Sequence, residues 1–223
     1  MSVGVLVPAA GRGERLGPGG PKALRRLAGE PLLVHAVRGL RAAPSVGPVV
    51  VAAPADDVPQ VQTLLAAWDV AVVAGGAERS ASVACALAAL PADADVVLVH
   101  DAARCLAPAA LVERVAAAVR AGAPAVVPVV PVPDTVKQVD ADGAVVRTVA
   151  RADLRAVQTP QGFARDVLER AHRECVGAAT DDAAMVEALG LAVHTVAGHD
   201  EAFKVTRPLD LLLAEAVLAG RRG

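Results

Sequence analysis

The order of hydrophobic and polar positions along the chain predicts strands that alternate with helices. Five short apolar runs are typical of strands, at residues 3–7, 49–53, 70–74, 96–100 and 125–130. The runs at 3–7, 49–53 and 96–100 predict strands buried on both faces, and the run at 70–74 suits a strand at the edge of the sheet. Three longer segments repeat apolar residues at helical spacing, at residues 31–43, 58–68 and 108–121. A further helix, capped by Ser80 or Ser82, is predicted to run to about Leu90. This order predicts an α/β fold with a Rossmann-like, mostly parallel sheet flanked by helices.

The pattern changes after residue 131. Two short extended segments, residues 132–139 and 144–149, flank an Asp-Ala-Asp-Gly turn that ends at Gly143, which is a hairpin signal. No helix follows to cover this hairpin, so we expect it to project from the sheet as an arm. Because a two-stranded hairpin is unstable alone, residues 132–152 are predicted to pack on a second subunit and make the protein a homodimer.

The last third of the chain returns to alternating elements. Residues 154–157 are expected to rejoin the sheet, and residues 158–163 are predicted to form a loop. The remaining predicted elements are helices at 165–175 and 181–189, a strand at 192–196 and a final helix from Pro208. Without repeats or low-complexity linkers, the simplest partition is one domain, residues 1–223, that carries the arm.

Composition narrows the kind of partner that this fold can bind. Hydrophobic residues make up 54% of the 223 residues, enough to exclude disorder, while the 1% of aromatic residues offers no stacking platform for nucleic acid. A formal net charge of −2 gives no global field that attracts nucleic acid or an acidic membrane. The longest uncharged stretches, residues 42–55 and 121–133, are too short to span a bilayer. We therefore expect neither a nucleic-acid nor a membrane partner.

The first residues and the cysteines indicate the compartment. The chain opens on an apolar run that leads into a glycine loop, without the basic segment of a secretory signal. Three cysteines, Cys85, Cys105 and Cys175, are an odd number at wide spacing, which fits reduced thiols rather than a disulfide framework or a zinc site. We expect a cytoplasmic protein.

The first predicted strand ends in a loop that combines glycines with cationic side chains. Its glycines are Gly11, Gly13, Gly17, Gly19 and Gly20, and its cations are Arg12, Arg15 and Lys22. Glycines let backbone N–H groups approach an oxyanion, and the carboxyl end of such a strand is where open α/β sheets bind phosphate-bearing ligands. The spacing fits neither the dinucleotide motif nor a P-loop. The loop therefore predicts contact with the phosphates of a nucleotide, and a solvated surface loop is the alternative.

Several motifs resemble one enzyme family. The segment from Ala9 to Lys22, Ala-Ala-Gly-x-Gly-x-Arg-x-Gly followed by Pro-Lys, resembles the signature of the sugar-nucleotidyltransferase superfamily. Six further segments resemble the 2-C-methyl-D-erythritol 4-phosphate cytidylyltransferase family within it: residues 75–83, 100–104, 134–137, 159–161, 180–181 and 203–208. The resemblance runs from Val3 to about Glu215.

The resemblance implies that the 4-phosphate of methylerythritol phosphate attacks the α-phosphorus of CTP, with Mg²⁺ bridging triphosphate oxygens. It implies the catalytic residues Arg15, Lys22 and Lys204. It implies nucleotide contacts at Ala9, Ala10, Gly11, Gly13, Gly76, Arg79, Ser82, Asp101 and Ala102. It implies substrate contacts at Asp101, Arg104, Thr135, Arg151, Thr159, Thr180 and Lys204, with Thr135 and Arg151 reaching a neighbouring subunit's site. Asp101 is the expected Mg²⁺ ligand.

Structural roles compete with some of these assignments. Ser82 also suits a helix cap, Asp101 and Arg104 could form a plain ion pair, and Arg151 could be an exposed charge of the arm. At the level of the whole protein, two rivals remain open. One is a cytidylyltransferase for another polyol phosphate, such as ribitol 5-phosphate, and the other is a non-catalytic nucleotide-binding module.

Overall fold

The computed structural model describes residues 2–11, 16, 20–175 and 180–221, and an eight-stranded sheet forms its centre. The strands are β1 (Ser2–Pro8), β2 (Arg26–Leu27), β3 (Glu30–Pro31), β4 (Val46–Ala53), β5 (Val70–Ala74), β6 (Ala94–Val99), β7 (Ala125–Pro131), β8 (Val136–Val139), β9 (Val145–Val149), β10 (Arg155–Val157), β11 (Gln161–Ala164) and β12 (Val193–Ala197). The helices are α1 (Leu32–Arg41), α2 (Val58–Leu64), α3 (Arg79–Ala89), α4 (Ala109–Arg120), α5 (Arg165–Glu174), α6 (Asp182–Ala188) and α7 (Pro208–Gly220).

The strand order confirms the predicted Rossmann-like, mostly parallel sheet. From one edge the strands run β12-β7-β11-β6-β1-β4-β5, and β10 pairs with β7 on the same side as β11. The pairs β1–β4, β1–β6, β4–β5 and β7–β12 are parallel, while β11 is antiparallel to both β6 and β7. Because β6 and β1 are central and parallel, their carboxyl ends open side by side at one edge.

Both faces of the sheet are covered, which explains the unbroken apolar runs in the sequence. Val3, Val5 and Val7 of β1 belong to a core layer with α1, α2 and α4. Leu6, between them, belongs to the opposite layer with α3, α5 and α6. Successive strand residues point to opposite faces, so two apolar layers require every position to be apolar.

The predicted loop at 158–163 is wrong in its second half, because Gln161–Ala164 forms the strand β11 in the interior of the sheet. Gln161 and Gly162 are not large apolar residues, so the pattern of hydrophobic positions does not predict this strand. Gln161 is buried, and its amide nitrogen donates to Asp181 Oδ2 at 2.7 Å while its amide oxygen accepts from Ala183 N at 3.3 Å. Gly162 faces α4 closely, leaving Phe163 as the one large apolar residue of the strand.

The predicted serine cap of α3 is also wrong. Glu78 is the N-cap residue, and the helix begins at Arg79. Ser82 lies within the first turn, where its hydroxyl donates to the backbone oxygen of Glu78 at 3.0 Å. A serine inside a helix commonly bonds to the carbonyl four residues earlier, so the hydroxyl bonds within this turn without capping the helix.

The predicted hairpin is present as a separate two-stranded sheet. Strands β8 and β9 pair with each other and have no partner in the central sheet among the described residues. Asp140 Oδ1 accepts from Asp142 N and Ala144 N, and Gly143 takes the positive φ of +85° that the turn requires. Residues 137–148 are exposed throughout, so the hairpin has the form of an arm.

None of the three cysteines forms a disulfide. All three cysteines are free thiols, and burial raises the pKa of the Cys105 thiol to about 12, which keeps it protonated and unreactive.

Within the described residues, no helix has both the length and the apolar character needed to cross a membrane.

The packing of Gly162 against α4 leads to a first prediction. A Cβ at this position would lie 2.6 Å from Val115 Cγ1 and 2.9 Å from Val119 Cγ2, and both valines are buried with little room to move. We expect Gly162→Ala to lower the free energy of unfolding by about 1–3 kcal/mol in urea titrations. Gly220→Ala, with no neighbour within 4 Å, is the control. Unchanged stability of Gly162→Ala would contradict the tight contact.

Candidate active site

A cavity of about 680 Å³ opens at the carboxyl ends of β1 and β6. Ten of the residues predicted from the sequence to act in binding or catalysis line it: Ala9, Ala10, Gly11, Lys22, Gly76, Arg79, Ser82, Asp101, Ala102 and Lys204. Its wall also contains Ala77, Glu78 and Thr206, which sequence reasoning did not select. The structure therefore brings five separate segments of the described chain together where a parallel sheet binds its ligands.

The two ends of the glycine loop are held next to each other. Ala9 N donates to Ala52 O at 2.8 Å, which extends the β1–β4 pairing by one residue. Lys22 N donates to Gly11 O at 3.1 Å, which closes the loop and places Lys22 beside the end of β1. Because Pro21 precedes a short 3₁₀ turn that begins at Lys22, the chain changes direction at this point. The lysine is thereby fixed at the wall of the cavity.

A pair of glycines between β5 and α3 forms the opposite wall. A Cβ on Gly75 would lie 2.8 Å from Ser82 Oγ and 2.9 Å from Ala10 Cβ, and a Cβ on Gly76 would lie 2.4 Å from Ala81 Cβ. A side chain at Gly75 would push the turn away from Ala10 at the end of β1, and one at Gly76 would push it away from α3. Gly75 thus lets the turn approach Ala10, and Gly76 lets it approach the start of α3.

The floor of the cavity is a network of ion pairs centred on Asp101. Asp101 Oδ1 lies 3.1 Å from Arg79 Nε, and Asp101 Oδ2 lies 2.7 Å from Lys204 Nζ. Burial by itself would raise the pKa of the Asp101 carboxyl, but the positive charges of Arg79 and Lys204 outweigh it and hold that pKa well below its usual range. Asp101 is therefore ionised, and two cations stand at the cavity in fixed positions.

Comparison with known proteins identifies the family. The sequence profile of 2-C-methyl-D-erythritol 4-phosphate cytidylyltransferase matches residues 3–220. Proteins of that name from Frankia casuarinae and Streptomyces coelicolor are 62% and 58% identical, over 97% of this chain and over 81% and 85% of theirs. The crystal structure of the Thermus thermophilus protein of that name has a TM-score of 0.82 at 40% identity, and the match covers 98% of this chain and all of the other. The chain belongs to this family.

Several residues predicted for this family member lie away from the cavity or outside the described chain. Gly13 and Arg15 lie outside the residues that the structure describes. Thr135 and Arg151 are exposed residues of the arm, and Arg151 lines a separate cavity of about 470 Å³ together with Arg155. Thr180 is exposed and lies directly before the N-cap residue of α6. Their roles in binding stay predictions.

Two residues of the network were missed by sequence reasoning. Asp182, fully buried, accepts from Arg79 Nη1 at 2.6 Å and lies 2.9 Å from His172 Nε2. Burial would raise the pKa of the Asp182 carboxyl, but the hydrogen bond from His172 and the charge of Arg79 lower it below its usual range. In the sequence Asp182 follows Asp181, the N-cap residue of α6, and no local pattern marks it as a partner of Arg79.

Arg104 connects the Asp101 loop to two other segments. Its Nη1 donates to Ala202 O at 2.8 Å, and its Nη2 donates to Val157 O at 2.9 Å. Nearby, Val205 N donates to Ala103 O at 2.9 Å. These bonds hold the segment that carries Lys204 against the Asp101 loop. Arg104 forms no ion pair with Asp101 within the described chain, so the plain Asp101–Arg104 pair weighed from the sequence is absent, and substrate contact by Arg104 stays a prediction.

Thr159 and His100 support Asp101 from behind. The Thr159 hydroxyl oxygen accepts from Asp101 N at 3.0 Å and lies 3.2 Å from His100 Nδ1. His100 is 1% exposed, and burial lowers its pKa to about 4. The imidazole is therefore neutral at physiological pH, which suits a structural residue at the end of β6 rather than an acid catalyst.

The buried imidazole leads to a prediction on stability against pH. An unfolded histidine titrates near pH 6.5, so between about pH 6.5 and 4 the unfolded chain binds more protons than the folded one. The free energy of unfolding consequently falls as the pH falls through this window, by up to about 3 kcal/mol from this group. We expect His100→Asn to reduce the pH dependence in urea titrations, whereas His194→Asn, at an exposed histidine, retains it. Equal pH dependence in wild type and His100→Asn would contradict the assignment.

Proposed function

We propose that the protein transfers the cytidylyl group of CTP to 2-C-methyl-D-erythritol 4-phosphate and releases pyrophosphate, as a step of non-mevalonate isoprenoid biosynthesis. The product is 4-diphosphocytidyl-2-C-methyl-D-erythritol. Membership of the family supports the reaction. The observation that carries the proposal is the cavity itself, where Lys22, Arg79 and Lys204 converge at the carboxyl ends of β1 and β6.

The reaction joins two anions and needs no side chain as nucleophile. An oxygen of the substrate's 4-phosphate forms a bond to the α-phosphorus of CTP, and the bond from that phosphorus to the bridging oxygen of the pyrophosphate breaks. Catalysis then depends on alignment and on neutralising the charge of the phosphates. Lys22 and Lys204 supply that charge at the cavity wall, and Arg15 is proposed to join them.

We propose that the backbone around the glycine pair selects cytosine. Ala9, Ala10 and Gly76 border the cavity, and Gly11 and Ala102 also line it. The Ser82 hydroxyl lies 3.3 Å from Gly76 O. We propose that it hydrogen-bonds both to this turn and to a base bound beside it. Backbone N–H and C=O groups discriminate the polar edge of cytosine through hydrogen bonds, since an unmatched base would leave them unpaired.

Asp101 is the residue proposed to hold Mg²⁺. The described residues contain no group of three or more acidic, histidine or cysteine ligands that would form a complete protein site for a metal. Mg²⁺ commonly takes one or two carboxylates and completes its shell with substrate phosphates and water, so a single carboxylate on the floor of the cavity fits. When bound, the ion would neutralise charge on the triphosphate.

We further propose a homodimer in which the arm, residues 132–152, completes the neighbouring site. Val139, Val145 and Val146 of the arm are each more than half exposed, which leaves apolar surface for a second copy. Thr135 and Arg151 would then bind the polyol phosphate across the interface, with Arg104, Thr159 and Thr180 contributing from the chain that binds CTP. The three free thiols fit a reducing, cytoplasmic location.

A substrate panel tests the proposed reaction directly. We expect Mg²⁺-dependent release of pyrophosphate from CTP with 2-C-methyl-D-erythritol 4-phosphate, and kcat/KM roughly a hundredfold lower with ribitol 5-phosphate. Turnover of ribitol 5-phosphate alone would replace the substrate. Binding of CTP without pyrophosphate release from any polyol phosphate would favour a non-catalytic module.

A complementation experiment tests both the role of Lys22 and the shared site. We expect Lys22→Ala and Arg151→Ala to fold normally, to show unchanged circular dichroism, and to lose roughly a hundredfold or more of kcat. In a mixed dimer with one chain of each kind, one of the two sites holds both wild-type residues. After denaturation and refolding of an equimolar mixture, we expect recovery of about a quarter of wild-type activity. No recovery would place Arg151 in the site of its own chain, and near-normal activity of Lys22→Ala would remove that lysine from the mechanism.

A further inference from the structure

We propose that Asp182, braced by His172, is a positioning residue for the reaction, because it fixes the guanidinium of Arg79 behind the nucleotide pocket. The proposal rests on the proposed function. His172 lies on α5 and Asp182 on α6, and no residue of either helix lines the cavity. Both helices would therefore affect the position of a positive charge at a cavity that they do not border.

Arg79 stands between two carboxylates on different elements. Its Nε faces Asp101 at 3.1 Å, and its Nη1 faces Asp182 at 2.6 Å. The Arg79 side chain is 30% exposed and borders the cavity, whereas the Asp182 side chain is 0% exposed. Asp182 therefore lies behind Arg79 as seen from a bound nucleotide, and it acts on the nucleotide only through that arginine.

The two oxygens of Asp182 have separate partners. Oδ2 accepts from Arg79, and Oδ1 lies 2.9 Å from Nε2 of His172 on α5. A carboxylate held from both sides has little freedom to rotate, and a buried one without partners is strongly unfavourable. The chain of contacts from His172 through Asp182 to Arg79 consequently sets the position of the guanidinium before any ligand binds.

The contact between Asp182 and Arg79 also preserves the ion pair between Asp101 and Lys204. Guanidinium and carboxylate groups form two parallel hydrogen bonds when nothing else holds them. With Asp182 in place, Arg79 offers Nε alone to Asp101 Oδ1, and Oδ2 stays available to Lys204 Nζ at 2.7 Å. Without it, Arg79 would turn towards both oxygens of Asp101 and displace Lys204 from the position in which it meets a phosphate.

Asp182→Asn tests the proposal because it removes the charge and keeps the shape. We expect the Kd for CTP, measured by calorimetry in the presence of Mg²⁺, and the KM for CTP to rise about tenfold. In an Arg79→Ala background the same substitution should change the Kd less than about twofold, since the residue through which it acts is gone.

The matched control is Asp181→Asn, one position earlier. Asp181 accepts from Ala184 N and Gln161 Nε2 and makes no contact with Arg79 among the described residues, and asparagine caps a helix as well as aspartate does. We expect it to bind CTP like the wild type. His172→Ala, which takes away the partner of Asp182 Oδ1 but leaves Oδ2 paired with Arg79, should show the same change as Asp182→Asn to a smaller degree.

Two results would overturn the proposal. One is an Asp182→Asn protein that binds CTP as tightly as the wild type. The other is an equal loss of affinity in the wild-type and Arg79→Ala backgrounds, which would show a general structural role. If Asp182→Asn fails to fold, unchanged CTP binding in His172→Ala overturns it as well. Each result is separate from the proposed function, which stands or falls on the turnover of the wild-type chain.

Discussion

The pairing of one buried carboxylate with two cations holds the candidate active site together. Asp101 follows β6, Arg79 opens α3, and Lys204 lies in the segment before α7, so the three charges come from distant parts of the chain. Placing an ionised carboxylate below the surface is unfavourable unless its partners are close. The same contacts that offset this burial leave two positive groups at fixed points of the cavity, and a fixed charge needs no reorganisation when a phosphate arrives.

The rest of the molecule keeps these charges in place. The parallel sheet brings the ends of β1 and β6 side by side, and the glycines at 75–76 allow the turn before α3 to approach them. Arg104 and Thr159 then hold the Asp101 loop through backbone atoms, by way of Ala202 O, Val157 O and Asp101 N. These residues stabilise the position of the Asp101 loop, which explains why polar groups are buried in a chain whose core is otherwise apolar.

The sequence was sufficient where local patterns decide structure. Unbroken apolar runs, helical periodicity and the Asp-Gly turn predicted the sheet, most helices and the arm. Ten of the site residues implied by the resemblance to a known family line one cavity. The sequence did not predict the features that depend on contacts between residues far apart in the chain. β11 was missed because Gln161 is satisfied by Asp181 and Ala183, about twenty positions later. Asp182 was missed because its partner Arg79 lies 103 positions earlier, and no local pattern connects the two.

The most direct test of this account is a crystal structure of the protein with CTP and Mg²⁺. The account predicts a triphosphate in the cavity at the ends of β1 and β6, in contact with Lys22, and a cytosine against the backbone of Ala10 and Gly76. It also predicts that Arg79 stays between Asp101 and Asp182, with both contacts retained. A nucleotide bound elsewhere, with Lys22 directed into solvent, would contradict it.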